Sequence, residues 1–199
     1  MSFMDEKITQ LINEVEQSMV PRSITDGPVK IGKRYYEFTL QSFYEDKLSL
    51  YLPADFEEMP KEFRSIKYPY EQRPEIIRSD EAGAVNFTLN RVEIDLKDEM
   101  VEELTADMKT MIQKSNPSHI FYNSGVETVN GKTLGYFEFK NMVIDGALFN
   151  IMYFLEFAGK ILMGTFCCRY EDYPDWRDIA YQAVRSITVK AEDEGVAQV

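Results

Sequence analysis

Apolar residues recur along the chain with two different periods, and the change between them marks the elements. From Met4 to Met19 the apolar positions Met4, Ile8, Leu11, Ile12, Val15 and Met19 follow a helical stripe. Asp5 and Glu6 occupy its first turn, where the helix dipole favours acids. Pro21, Gly27, Pro28 and Gly32 break the pattern, so residues 20–33 read as a linker. Tyr35–Phe43 and Leu48–Leu52 are strand-like, joined through Tyr44-Glu45-Asp46-Lys47, and Pro53 stops the second. Asp55 to Pro60 reads as a turn. Residues 67–77 read as extended, because each proline pushes its predecessor away from helical dihedrals. A turn at Asp80–Gly83 leads to a strand over Ala84–Val92. Val101, Leu104, Met108, Met111 and Ile112 then fall on one helical face, with Asp98 expected as N-cap and Asn116-Pro117 as the stop.

The second half reads as an antiparallel meander. Strands are expected over Ile120–Val129, Thr133–Val143, Ala147–Phe157 and Lys160–Tyr170, punctuated by Asn130-Gly131, Asp145-Gly146 and Ala158-Gly159. The run Leu148–Leu155 is apolar at nearly every position, so both of its faces need cover. One cover is the stripe Trp176, Ile179, Ala180, Ala183, Val184 and Ile187; the helix near 98–114 supplies the other. The predicted fold class is therefore α+β: an antiparallel sheet flanked by helices, an α/β/α sandwich with an N-terminal helical arm. The expected division is 1–33 for helix and linker, 34–190 for the body and 191–199 for an acidic tail.

Composition narrows the chemistry. The 199 residues carry 22 Lys+Arg and 34 Asp+Glu, a net charge of −12, which disfavours nucleic acid and anionic lipid as partners. No apolar run approaches the ~18 residues of a membrane span, and the first residues do not resemble a signal peptide, so a cytoplasmic location is expected. Cys167 and Cys168 are neighbours and point to opposite faces of a strand; two free, half-buried thiols fit a reducing compartment. With His119 as the one histidine, the usual zinc sets cannot be assembled.

Most catalytic motifs fail on spacing. Gly131-Lys132-Thr133 resembles the end of a phosphate loop, but position 126 is Val and a hairpin turn replaces the required helix. No Gly-x-Ser-x-Gly elbow is present, and any Ser-His-Asp triad would rest on His119 alone. Asp95, Asp98, Glu99, Glu102, Glu103 and Asp107 read as a solvated acidic face. Glu171, Asp172, Asp175 and Asp178 sit where a helix dipole welcomes acids. Asn86-Phe87-Thr88 matches a glycosylation acceptor that has no meaning without secretion. No catalytic, cofactor-binding or metal residue is assigned.

Interface chemistry remains. Tyr68, Tyr70 and Arg73 lie among prolines in an aromatic segment of the kind enriched at interfaces; the rival reading is that they plug the sheet edge. The stripe Ile8, Leu11, Ile12 and Val15 is the second candidate, since a lone amphipathic helix must bury its face somewhere.

Leu48-Ser49-Leu50-Tyr51-Leu52-Pro53, Asp55-Phe56, Val85-Asn86-Phe87, Gly135-Tyr136-Phe137-Glu138-Phe139, Asp145-Gly146 and the Trp-bearing last helix together resemble the PsbP-like superfamily, with its DcrB-like and Ran-release-factor-like members. The phrase Lys67-Tyr68-Pro69 to Arg73-Pro74 is similar to bacterial cytosolic members. The resemblance covers about residues 36–188 and implies a non-enzymatic binding module, in some members a chaperone. The leading expectation is thus a protein-binding or chaperone-like adaptor without cofactor, whose partner is another protein. Alternatives are a small-ligand-binding protein or hydrolase built on His119, a cysteine and a carboxylate, and self-association as a homodimer through the N-terminal helix.

Overall fold

A computed structural model describes residues 23–68 and 73–190. The described chain runs β1 (Val29–Ile31), β2 (Arg34–Tyr36), β3 (Phe38–Phe43), β4 (Leu48–Pro53), β5 (Glu57–Glu58), α1 (Lys61–Lys67), β6 (Ile76–Ser79) and β7 (Asn86–Asp95). After a 3-10 turn at Asp98–Met100 come α2 (Val101–Ser115), β8 (Ile120–Val129), β9 (Lys132–Val143), β10 (Gly146–Phe157), β11 (Lys160–Arg169), α3 (Tyr173–Arg185) and β12 (Thr188–Val189). Seven strands form an antiparallel sheet in the order β5-β6-β7-β11-β10-β9-β8, and β12-β4-β3 form a second, three-stranded sheet.

The central strand β10 organises the layers. Its Phe149, Ile151, Tyr153, Leu155 and Phe157 join the larger core with Trp176, Ala180 and Val184 of α3 and Leu48, Leu50 and Leu52 of β4. Met152 and Phe154 point the other way and pack with Phe137, Phe139 and the α2 residues Leu104, Met108 and Ile112. Asn150 is buried on that second face, where its amide donates to Asn141 Oδ1 at 2.6 Å. The expected sandwich is present, with the small sheet sharing the α3 layer.

Several expectations change in detail. The linker read over 20–33 is part of the body from Ser23 onward: Ile24, Val29 and Ile31 are buried in the larger core, and β1 pairs with β2. The turn and extended stretch read over 55–77 hold β5 and the short helix α1. Asp98 does not cap α2. Its carboxylate accepts from the backbone N–H of Thr133 at 2.9 Å and from the Thr133 hydroxyl, tying the turn before α2 to β9, while Met100 stands at the N-cap. Asn130 and Gly131 both have positive φ, as a type I′ hairpin requires, and Lys132 pairs with Glu156. The helical arm at 4–19 and the acidic tail lie outside the described residues.

Two close approaches depend on glycine. A Cβ at Gly164 would stand 2.0 Å from the ring of the fully buried Tyr153, its cross-strand partner, and one at Gly135 would stand 1.9 Å from Thr105 Oγ1 of α2. Gly164→Ala is therefore expected to lower stability by roughly 1–3 kcal/mol through overpacking. Urea unfolding with and without a compensating Tyr153→Leu substitution checks this; equal losses in both backgrounds would exclude the ring as the cause.

Candidate protein-interaction surface

The face of the sheet that carries α3 has a free end beyond the first turn of that helix. Ile120 of β8 lies opposite Lys140, and Met142 lies opposite Ala147. Cross-strand partners and alternate residues share a face, so Ile120, Lys140 and Met142 lie on the side of α3. Tyr122 joins them: its hydroxyl is 3.0 Å from that of Tyr170, and its ring packs against Phe149. Tyr173, the first residue of α3, stacks on Tyr170 with centroids 4.9 Å apart and packs tilted against Phe149 at 4.8 Å. The Lys140 ammonium sits 3.9 Å from the centroid of the Tyr170 ring.

These contacts hold the rings in place, each aromatic pair contributing ~0.5–1.5 kcal/mol and the exposed cation–π contact ~0.5–1 kcal/mol. A surface ordered in advance loses little side-chain freedom when it binds. Tyr122 is still 45% exposed and Met142 58%, and the adjoining β9–β10 hairpin tip presents Val143 and Ile144, the latter fully open at 101%. A cleft of about 390 Å³ between this hairpin and the end of β11 is lined by Val143, Leu148, Arg169 and Tyr170, with Asp145 and Glu171 at its rim.

A polar groove continues along α3 towards the other end of β8. Its foundation is Glu138 of β9, only 2% exposed. Arg177 binds that carboxylate through Nε and Nη2, both at 2.9 Å, and the Tyr181 hydroxyl donates to it at 3.2 Å. One turn further along, Arg185 donates to Glu127 of β8 at 2.8 Å. Both guanidinium groups lie over the Tyr181 ring, at 5.3 and 5.1 Å. Above them is a cleft of about 350 Å³ lined by Asn123, Arg177, Asp178, Tyr181, Gln182 and Arg185.

The residues singled out in the sequence lie elsewhere. The half-buried Tyr68 donates its hydroxyl to Asn86 Oδ1 at 2.9 Å, and burial pushes its pKa upward. Arg73 is on the surface of the same loop, whose end is held by Arg64 donating to the Pro74 and Glu75 carbonyls at 2.7 and 3.2 Å. Tyr70, Ile8, Leu11, Ile12 and Val15 lie outside the described residues. Asn86 is fully buried, which closes the glycosylation motif.

The groups named for the hydrolase alternative sit in packed, apolar surroundings. His119 packs its ring on Phe139, and its Nδ1 is buried without a hydrogen-bond partner. Cys168 points into the α3-side core and its neighbour Cys167 to the opposite face; both thiols are pushed up by burial, away from the thiolate that nucleophilic chemistry needs. Among the described residues no group of three His, Cys, Asp or Glu side chains could hold a metal ion. A cleft of about 450 Å³ between β5 and β6 is lined mainly by acids, Asp55, Glu57, Glu58, Asp80 and Glu81, with Arg34 paired to Asp55. The acids before α3 are less favoured than the dipole argument implies: Asp172 makes no capping bond, and its carboxyl is raised by burial and then by Glu171.

The architecture is an α/β/α sandwich of the PsbP-like fold, as the sequence resemblance implied. The chain is similar to the solution structure of cyanobacterial PsbP (CyanoP) from Synechocystis sp. PCC 6803, with a TM-score of 0.57 at 9% identity over 80% of this chain and 96% of that one. It also aligns with the Ran-binding protein Mog1p of Saccharomyces cerevisiae, at TM-score 0.47 and 7% identity over 77% of this chain and 96% of that one. No protein-family model and no curated protein matches the sequence. Among the described residues no helix is long and apolar enough to cross a membrane.

Two expected outcomes follow from the polar contacts. Arg177→Ala would leave the Glu138 carboxylate buried with the Tyr181 hydroxyl alone, at a cost of roughly 3 kcal/mol, and adding Glu138→Met would recover most of it; chemical denaturation of the two variants checks this. Burial and the bond to Tyr170 push the Tyr122 pKa up to about 12, and burial raises Tyr44, Tyr153 and Tyr181 further. Unfolded tyrosines ionise near ~10, so this stabilisation is whole below about pH 10 and is lost as pH rises from there through 12. Alkaline unfolding should accompany a late, cooperative phenolate absorbance step. Independent titration of all tyrosines near pH 10 would contradict it.

Proposed function

We propose that the protein is a non-catalytic protein-binding module of adaptor or chaperone-like kind. The observation that carries this reading is a preordered platform in which half-buried Tyr170 and Tyr173 hold exposed Tyr122, with exposed Ile120, Met142 and Ile144 beside it. Tyrosine and methionine are the side chains that interfaces concentrate, because they bring large apolar area with a polar end or an adaptable chain. A platform of this chemistry suits an apolar segment of another protein. The acidic net charge agrees with a protein partner in preference to a phosphate-bearing one. Tyr68, Tyr70 and Arg73 and the N-terminal residues Ile8, Leu11, Ile12 and Val15 belong to the same proposal as further contacts of the loop and the arm.

The test compares affinity capture from the native host by the wild-type chain, the double variant Tyr122→Ala/Ile144→Asp, Arg73→Ala and a chain lacking residues 1–22. The platform variant is expected to lose at least ~90% of a stoichiometric partner, about the tenfold effect of one lost hot spot, while its circular dichroism is unchanged. Full retention by the platform variant would remove this surface from the interface. Loss in the other two would place the arm or the loop there instead.

A further inference from the structure

The two edges of the main sheet differ. One ends in β5, a two-residue strand of two glutamates. The other is β8, ten residues long, with the sequence Ile-Phe-Tyr-Asn-Ser-Gly-Val-Glu-Thr-Val. Long open edges are normally blunted by lysine, proline, short length or a covering element. β8 contains no lysine or proline, and its one charged residue, Glu127, is held by Arg185. The register shifts between Phe121 and Ser124, but from Ser124 to Val129 every residue pairs with β9 in turn. Among the described residues no strand pairs with the outer side of this stretch.

Cations frame that open edge on both faces. On the α2 side, Lys109 donates to Ser124 Oγ at 2.9 Å, and Val126 lies open beside it. On the α3 side Arg185 uses Nε for Glu127, and the rest of its five-donor fork borders the cleft with Asn123 and Tyr181. Arg177 is more fully committed, to Glu138 and Asp178. A strand added at β8 would point successive side chains alternately towards Lys109 and towards Arg185. On a chain of net charge −12, this placement of positive groups complements an acidic strand.

We propose that β8, over Ser124–Val129, is a strand-addition site for an extended acidic segment of a partner protein, with Arg185 and Lys109 receiving its carboxylates. The inference rests on the protein-binding reading and adds the partner's chemistry. Backbone hydrogen bonds would supply the register and the flanking cations the selectivity.

The test uses the full chain, isotopically labelled, and a fluorescein-labelled decapeptide alternating Glu with Val and Thr. Two control peptides carry Lys in place of Glu, or N-methyl groups on alternate amides. The acidic peptide is expected to shift the amide resonances of residues 124–128 and to bind at least tenfold more tightly than either control. Arg185→Glu and, independently, Lys109→Glu should each weaken it about tenfold without altering the fold. Equal binding of the N-methylated peptide would overturn strand pairing, and equal binding of the lysine peptide would overturn the charge assignment. Failure of the acidic peptide to bind would overturn the site. Concentration-dependent dimerisation that shifts the same amides would give the edge to a second copy instead. The capture experiment on the Tyr122 and Ile144 platform is read separately, so the protein-binding reading can stand when strand addition fails.

Discussion

A carboxylate buried in the middle of a sheet constrains whatever lies over it. Glu138 could not sit at the centre of β9 without donors, and desolvating it alone would cost several kcal/mol. Arg177 and Tyr181 supply those donors from one face of α3, which fixes the rotation of the helix as well as its position. That rotation turns Trp176, Ala180 and Val184 into the core and brings Arg185 to β8. It also sets Tyr173 at the helix start against Phe149, where the tyrosine platform begins. The groove and the platform are thus two ends of one placement.

The opposite face is organised by steric permission instead of charge. Gly135 lets Val101 and Thr105 of α2 come down on β9, and the Asp98 carboxylate ties the preceding turn to Thr133. The helix can then cover Phe137 and Phe154 closely. β10 has apolar groups on both sides, and these two different devices seat its two covers.

Much of this architecture was legible in the order of residues. The meander from 120 to 169 announces itself through Asn130-Gly131 and Asp145-Gly146, and the two-sided apolar run of β10 demands a sandwich. The stripe from Trp176 to Ile187 is buried at every named position. Two strands of the small sheet were legible, but its third was not, because β12 is two residues long and its pairing with β4 joins positions about 140 apart. The β3–β4 turn is harder still: Tyr44, Glu45 and Asp46 all take left-handed dihedrals without a glycine among them. α1 follows a proline and buries none of its residues, so it has no periodic signal. Asp98 looked like a cap because its position suits one, yet a tertiary donor on Thr133 captured it. The surface was the least readable feature. Tyr122 and Tyr170 stand 48 residues apart and meet only through the sheet. Tyr68 had the local signature of an interface residue, and the structure gives its hydroxyl to Asn86.

The unequal edges of the main sheet limit the size of any assembly built on it. A sheet with two open edges can propagate, each newcomer offering a fresh template to the next. Here Glu57 and Glu58 end one side after two residues, and their like charges repel a second strand of the same kind. That edge offers two residues as a template, against ten at β8. If a strand is taken up at β8 as proposed, it meets no equal template at the other edge of the main sheet among the described residues, and such a complex would close there instead of extending into a fibre.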